Sequence, residues 1–300
     1  MIKKTGLVLA PVLLSAFILN ATASQTIEKS DSSESALPNH PIAGGIISMP
    51  LNENSKVTLN DKPVLTTTVD GQRYAVIGVP LKAEESLQLK IDGKEQSQIL
   101  EDFAYEEQHI EIKNKRKVNP QKNDMDRIGR EYNQMTPVYK SFSAKLTPDW
   151  NQMILPTTGP YSSAFGLKRF FNGQARNPHS GIDIAAPEGK DIVAPAGGTV
   201  VLTGDFFFNG NSVFIDHGQG LISMMCHMSR VDVKEGDVIK QGDLLGAVGK
   251  TGRATGPHLH WTVSLNNARV NPKLLLREDQ PKCTRYCHEK SPRHFRINAR

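Results

Sequence analysis

Residues 258–265, HLHWTVSL, alternate polar and apolar side chains along their whole length. In a strand, successive side chains point to opposite faces, so His258, His260, Thr262 and Ser264 share one face and Leu259, Trp261, Val263 and Leu265 the other. That is the period of a half-buried strand, and it commits the surrounding chain to a sheet with one covered face. It also stands two imidazoles side by side on the polar face, directly after Gly256-Pro257.

The sequence before this strand reads the same way. The runs TVVLTG, SVFIDHG and GLISMMCHMS are short and apolar, and glycine-bearing turns recur at Gly236, Gly242, Gly246, Gly249, Gly252 and Gly256. They predict an antiparallel β-sheet unit over 149–276. Over 41–115, runs such as KVTLN, PVLTTTV, RYAVIGVPL and LQLKID are broken by NDK, DGQ and DGK. This spacing predicts a small N-terminal β-sandwich-like domain. Between the two, 116–148 is charge-dense and reads as a linker holding one short helix, Met125 to Met135. The expected fold class is mainly β.

The ends carry their own signals. Lys3 and Lys4, an apolar stretch and the small-residue site Ala21-Thr22-Ala23 read as a signal peptide over 1–23. Residues 24–40 are polar and poor in aromatics, the composition of a disordered segment. From Lys273 to Arg300 there are eight Lys/Arg against three Asp/Glu. The basic tail, 277–300, suits anionic envelope polymers, membranes or nucleic acid, or serves only as a solvated end. Cys283 and Cys287 within it are expected to pair in an oxidising compartment; a metal site with His288 or His294 is the lesser alternative. The expected chain is exported, with no stable membrane insertion once the signal is removed.

One lookalike falls away. GDLLGAVGKTG has the outline of a phosphate-cradling loop, but Leu244 stands where that pattern requires its first glycine.

A second chemical stretch is NPHSGIDIAAP, residues 177–187. Fully extended, His179 and Asp183 would be about 13 Å apart. A bend at Ser180-Gly181 into a strand starting near Ile182 brings them within reach of one ion. His179, Asp183 and His260 then form a set of two nitrogens and one carboxylate. Three protein ligands leave a fourth position for solvent, the mark of a catalytic rather than a structural zinc site. His258 shares the face of His260. His227, in MMCHMSR, is placed by alternation with Met225 and Ser223, with Cys226 facing away as a small buried hydrophobe. His217 reads as structural; His40 and His109 have no such company.

HSGID, CHMS and TGRATGPHLH, with GNSVFIDHGQGLIS between them and VNP at the close, resemble the lysostaphin/LytM-type murein metallopeptidases from about Asn151 to Pro272. The segment ending YEEQHIEIKNKRKVNP is similar to the N-terminal β domain of some exported members. The resemblance implies one Zn2+ held by His179, Asp183 and His260. It implies catalytic roles for His227 and His258, with base and oxyanion support left open between them. One departure is Met225-Cys226, where the family usually has an aromatic and a small residue.

The function implied is an exported zinc endopeptidase cutting peptide cross-links of peptidoglycan, most naturally D-alanyl-meso-diaminopimelate bonds. The partner is peptidoglycan rather than nucleic acid, and the compartment is the periplasm or, alternatively, the exterior. The alternatives are a non-hydrolytic activator of other wall hydrolases and a secreted polyglycine-cleaving enzyme. The charged linker also suggests a cover over the groove, in which case cutting back to about 149–300 raises activity.

Overall fold

A computed structural model describes residues 37–281. The leader over 1–23, the segment 24–36 and the tail from Lys282 onward, and with them Cys283, Cys287, His288 and His294, lie outside the described residues. Four residues assigned by composition to a disordered lead, Leu37 to His40, are instead in place. The His40 N–H donates to the Ile46 carbonyl at 2.6 Å, and the Ser48 hydroxyl donates to Pro38 at 2.8 Å.

The chain is mainly β. Its principal sheet is eight-stranded. Across it run Val238–Ile239, Gly198–Phe206, Gly210–Gly218, Leu221–Met228, His258–Leu265, Ile182–Ala185 and Tyr161–Ser163, with Ala268–Val270 beside the far half of His258–Leu265. Every pairing is antiparallel. Register puts Cys226, His260, Asp183 and Ser163 in one row across four strands. The next row, Met225, Trp261 and Ile182, faces the other way.

That other face is the main core. Ile182, Ile184, Ile215, Met225, Trp261, Val263 and Leu265 are all fully buried in it. At about 25 cal/mol per Å² of apolar surface removed from water, this layer dominates the stability of the sheet. The polar side of HLHWTVSL is not open, contrary to its alternation. Thr262 and Ser264 are fully buried as well. They tolerate this because each has a hydrogen-bond partner, His260 for Thr262 and Arg269 for Ser264.

The cover on that side is a helix, Lys122–Tyr139, longer than the Met125-to-Met135 expectation. It opens on a capping box between Gln121 and Asp124. Its inward face is Asp124, Ile128, Glu131, Met135 and Tyr139. Tyr139 packs with Phe206, Phe214, Ile222, Met224 and Cys226 in a second core. The two inward carboxylates are both answered. Asp124 accepts from Arg116 at 2.7 Å, and Glu131 accepts from the Phe207 N–H at 2.8 Å. The stretch expected as a linker is therefore packed structure over 115–139. No helix among the described residues is long and apolar enough to cross a membrane.

The N-terminal part has two sheets. Ile46–Leu51, Gln72–Gly78 and Leu65–Val69 form one; Lys62–Pro63, Val57–Leu59, Ser86–Ile91 and Lys94–Ile99 form the other. Ile47, Val57, Leu59, Ala75, Ile77 and Leu89 fill the space between them. Ile46, Leu65 and Val76 project from the outer side of the first sheet into the main core. Asn266 clasps Gly78 with one bond in each direction, at 2.8 and 3.1 Å. This part therefore packs against the main core, on the face of the principal sheet opposite the histidines. A short strand after it, Glu107–Ile110, comes round to the other side and pairs in parallel with Lys168–Phe171.

Candidate metal centre

The structure brings His179, Asp183 and His260 together, all buried. Asp183 and His260 are directly paired across adjacent strands. His179 arrives from the loop before Ile182, pinned by its N–H to the Leu167 carbonyl at 2.9 Å. Gly181 makes the approach possible: a Cβ there would lie 2.3 Å from the Trp261 carbonyl oxygen and 2.9 Å from the His260 ring.

Asp183 Oδ1 lies 3.0 Å from His179 Nε2 and 2.7 Å from His260 Nδ1, and the two nitrogens are 3.0 Å apart. The far atom of each group is fixed by another partner. The Ala164 carbonyl can only accept, so His179 Nδ1, at 2.6 Å, carries the proton and Nε2 keeps its lone pair. His260 Nε2 lies 2.8 Å from the Thr262 hydroxyl. Asp183 Oδ2 accepts from Arg169 Nη2 at 2.9 Å. With the Thr262 hydroxyl accepting from His260 Nε2, His260 Nδ1 also keeps its lone pair, and three electron-rich atoms converge in an arrangement that a cation stabilises and that matches the N/O donors of zinc.

Electrostatics keep these groups in ligating form. Burial pulls the His179 pKa down to about 4, against the opposing pull of Asp183. Burial alone would raise the Asp183 carboxyl, but the His179 and His260 imidazoles hold it well below the usual carboxylate range. A neutral imidazole and an ionised carboxylate are the states that bind metal.

His227 and His258 stand beside this set, with ring centroids 4.8 Å apart, and His227 is 6.1 Å from His260. His258 Nε2 is 4.0 Å from Asp183 Oδ1. Each ring donates its Nδ1–H to a carbonyl at 2.8 Å, His227 to Thr251 and His258 to Gly256. In the neutral ring each therefore leaves its lone pair on Nε2. Burial, followed by the neighbouring His258 and His260, lowers the His227 pKa to about 3.

The expected orientation of Cys226 is corrected here. Register sets Cys226 opposite His260, so the two share a face. Strict alternation would then turn His227 into the main core. A bulge prevents this: Cys226 and His227 oppose the single residue Ser212, and His227 takes the left-handed φ of 61°. The bulge swings the imidazole back to the metal side. Cys226 remains a buried hydrophobe, its thiol pushed up to about 12 by burial. His217 is structural, bonded to Gly197 and Ser223 inside the main core side. His109 is exposed and stacks on Phe170.

Arg169 and Gln108 are new to the site. Gln108 Oε1 accepts from Arg169 Nε at 3.2 Å, behind the bond from Arg169 to Asp183. Residue spacing carries no signal for either.

A mainly β unit with a buried His-Asp-His donor set and two flanking histidines defines a metallopeptidase centre. Residues 177–272 match peptidase family M23, and residues 39–104 match the peptidase family M23 N-terminal domain. A crystal structure from Pseudomonas aeruginosa, described as an M23 peptidase, is 39% identical and superposes with a TM-score of 0.67 over 80% of this chain and 96% of that one. The chain belongs to peptidase family M23. DD-carboxypeptidase/endopeptidase Mpg of Neisseria meningitidis is 40% identical over 111 residues, 37% of this chain and 26% of that protein. Peptidoglycan DD-endopeptidase ShyC of Vibrio cholerae is 40% identical over 116 residues, 38% of this chain and 27% of that protein. The matched segment thus spans about a quarter of the length of these curated relatives.

Proposed function

We propose that this chain is an exported zinc endopeptidase that hydrolyses peptide cross-links of peptidoglycan, with D-alanyl-meso-diaminopimelate as the bond cut and the periplasm as its compartment. The observation that carries the reading is the convergence of His179 Nε2, Asp183 Oδ1 and His260 Nδ1 on one point, with His227 and His258 beside them. The DD-endopeptidase relatives supply the substrate class.

In this reading His179, Asp183 and His260 hold the ion, and Arg169 fixes the rotation of the Asp183 carboxylate. Zinc bound there supplies Lewis acidity, polarising an amide carbonyl and acidifying water. The unprotonated Nε2 atoms of His227 and His258 are placed to accept the proton of the attacking water and return it to the departing amine. The unit over 149–276 does the chemistry, and 41–115 braces it from behind.

The test is release of soluble muropeptides from isolated sacculi by the zinc-loaded chain. His179→Ala and Asp183→Ala should abolish both zinc content and release. Hydrolysis that persists in metal-free protein would overturn the reading. Pelleting with sacculi without new amine groups would favour a binding module instead.

A further inference from the structure

The loop between His227 and His258 carries a guanidinium that makes no ion pair among the described residues. Arg253 sits in TGRATGPH, and the loop around it is fastened to both histidines through the Thr251 and Gly256 carbonyls. The Arg253 backbone N–H is bonded to the Phe208 carbonyl at 2.8 Å. Its side chain is half-buried between two rings, 4.3 Å from the centroid of Phe208 and 4.9 Å from that of Phe171. Cation–π contact with two rings holds the guanidinium in place without using its N–H fork, which is left for recognition.

Its electrostatic setting is one-sided. Burial, with Arg169 and Arg176 close by, pulls the Arg253 pKa down to about 10, and no carboxylate among the described residues opposes the shift. Arg169 is engaged by Asp183. Arg176 is spent on neutral oxygens of Val118, Asn119 and Gln174. A stacked cation without a counter-charge among the described residues, one short loop from the two flanking histidines, is a site that an incoming anion completes. The fork geometry selects a planar carboxylate over a single-point acceptor.

We propose that Arg253 is a specificity-determining residue that binds a free carboxylate carried by the peptide substrate beside the amide being cut. The inference rests on the peptidase reading and deepens it. In a cross-link to the D-centre of diaminopimelate, the carbon bearing the scissile nitrogen also bears a carboxylate. An interior polyglycine bond has none. Arg253 therefore favours the first class of substrate and gives the second no anchor.

The test uses the zinc-loaded full chain and two synthetic cross-linked peptides that differ only in that group, carboxylate against carboxamide. The expected preference in kcat/KM is roughly 10- to 100-fold for the carboxylate, the range of a charge-assisted hydrogen bond. Arg253→Met should bring the ratio close to one, and Arg253→Lys should keep part of it. The same pair is titrated by calorimetry into a His258→Ala chain, in which turnover is arrested. Equal turnover and equal affinity for the two peptides would overturn the proposal without any variant at Arg253. A binding preference with neither peptide cut by the unaltered chain would overturn the peptidase reading and leave the carboxylate site standing.

Discussion

Arg169 donates from Nη2 to Oδ2 of Asp183 across 2.9 Å, so that only Oδ1 of that carboxylate faces the two imidazoles. Groups behind a metal ligand typically change affinity by about 10- to 100-fold when removed. Arg169→Met should weaken zinc binding by about that factor while leaving the secondary structure intact. Competition against a chromophoric chelator measures it. Gln108→Ala, one bond further back, should produce a smaller loss of the same sign.

His227 is reached only through a bulge, and it ligates nothing in the donor set. His227→Ala should therefore keep zinc stoichiometry and lose activity by about 100-fold or more, the usual contribution of a positioned acid–base group. Loss of zinc in this variant would assign His227 to the metal instead.

Acid should destabilise the metal-free protein. His179 and His227 titrate in the folded state at about 4 and about 3, below their ordinary 6.5. Between those values and 6.5 the unfolded chain binds more protons than the folded one, so stability rises with pH. Their contribution is fully present above 6.5 and is lost as pH falls through the window, on the order of 1 kcal/mol per pH unit for each histidine. Thermal melts of chelated protein between pH 7 and pH 4 should show the decline.

Cutting back to 149–300 should destabilise the protein rather than release a brake. The truncation strips Tyr139 from its cluster with Phe214 and Met224, and Glu131 from the Phe207 N–H. Tyr139→Ala alone should cost about 3 kcal/mol, the scale of a buried aromatic removed from a core. Denaturant titrations of the truncated and full chains decide the point; a truncated form of undiminished stability and raised activity would restore the idea of a cover.

Gly181→Ala tests the packing of the centre. Its Cβ would meet backbone, the Trp261 carbonyl at 2.3 Å, which cannot rotate away. Zinc binding should fall even though no ligand has been altered.

The histidine strand and the glycine-punctuated sheet were legible because their side-chain period is two and their turns carry glycine. The helix was half legible for a specific reason. Of the five residues on its inward face, Asp124 and Glu131 are carboxylates, and their partners, Arg116 and the Phe207 N–H, lie elsewhere in the sequence. An apolar stripe broken by two acids does not look like a buried face until those partners are in view. The bulge at Cys226 and His227 was hidden in the same way. Alternation gives faces only while the ladder stays in step, and nothing in MMCHMSR marks the extra residue. Arg169 and Gln108 were invisible because their meaning depends on Glu107–Ile110 pairing with Lys168–Phe171, a contact between distant segments.

Ser163, Asp183, His260 and Cys226 line up only when four strands adopt one particular alignment. Sliding the strand of Asp183 or that of His260 by a single residue would turn its side chain to the opposite surface and break up the donor set. In the proposed reading, capture of zinc is thus a report on folding: a misaligned chain would be metal-blind, so the architecture is its own safety catch.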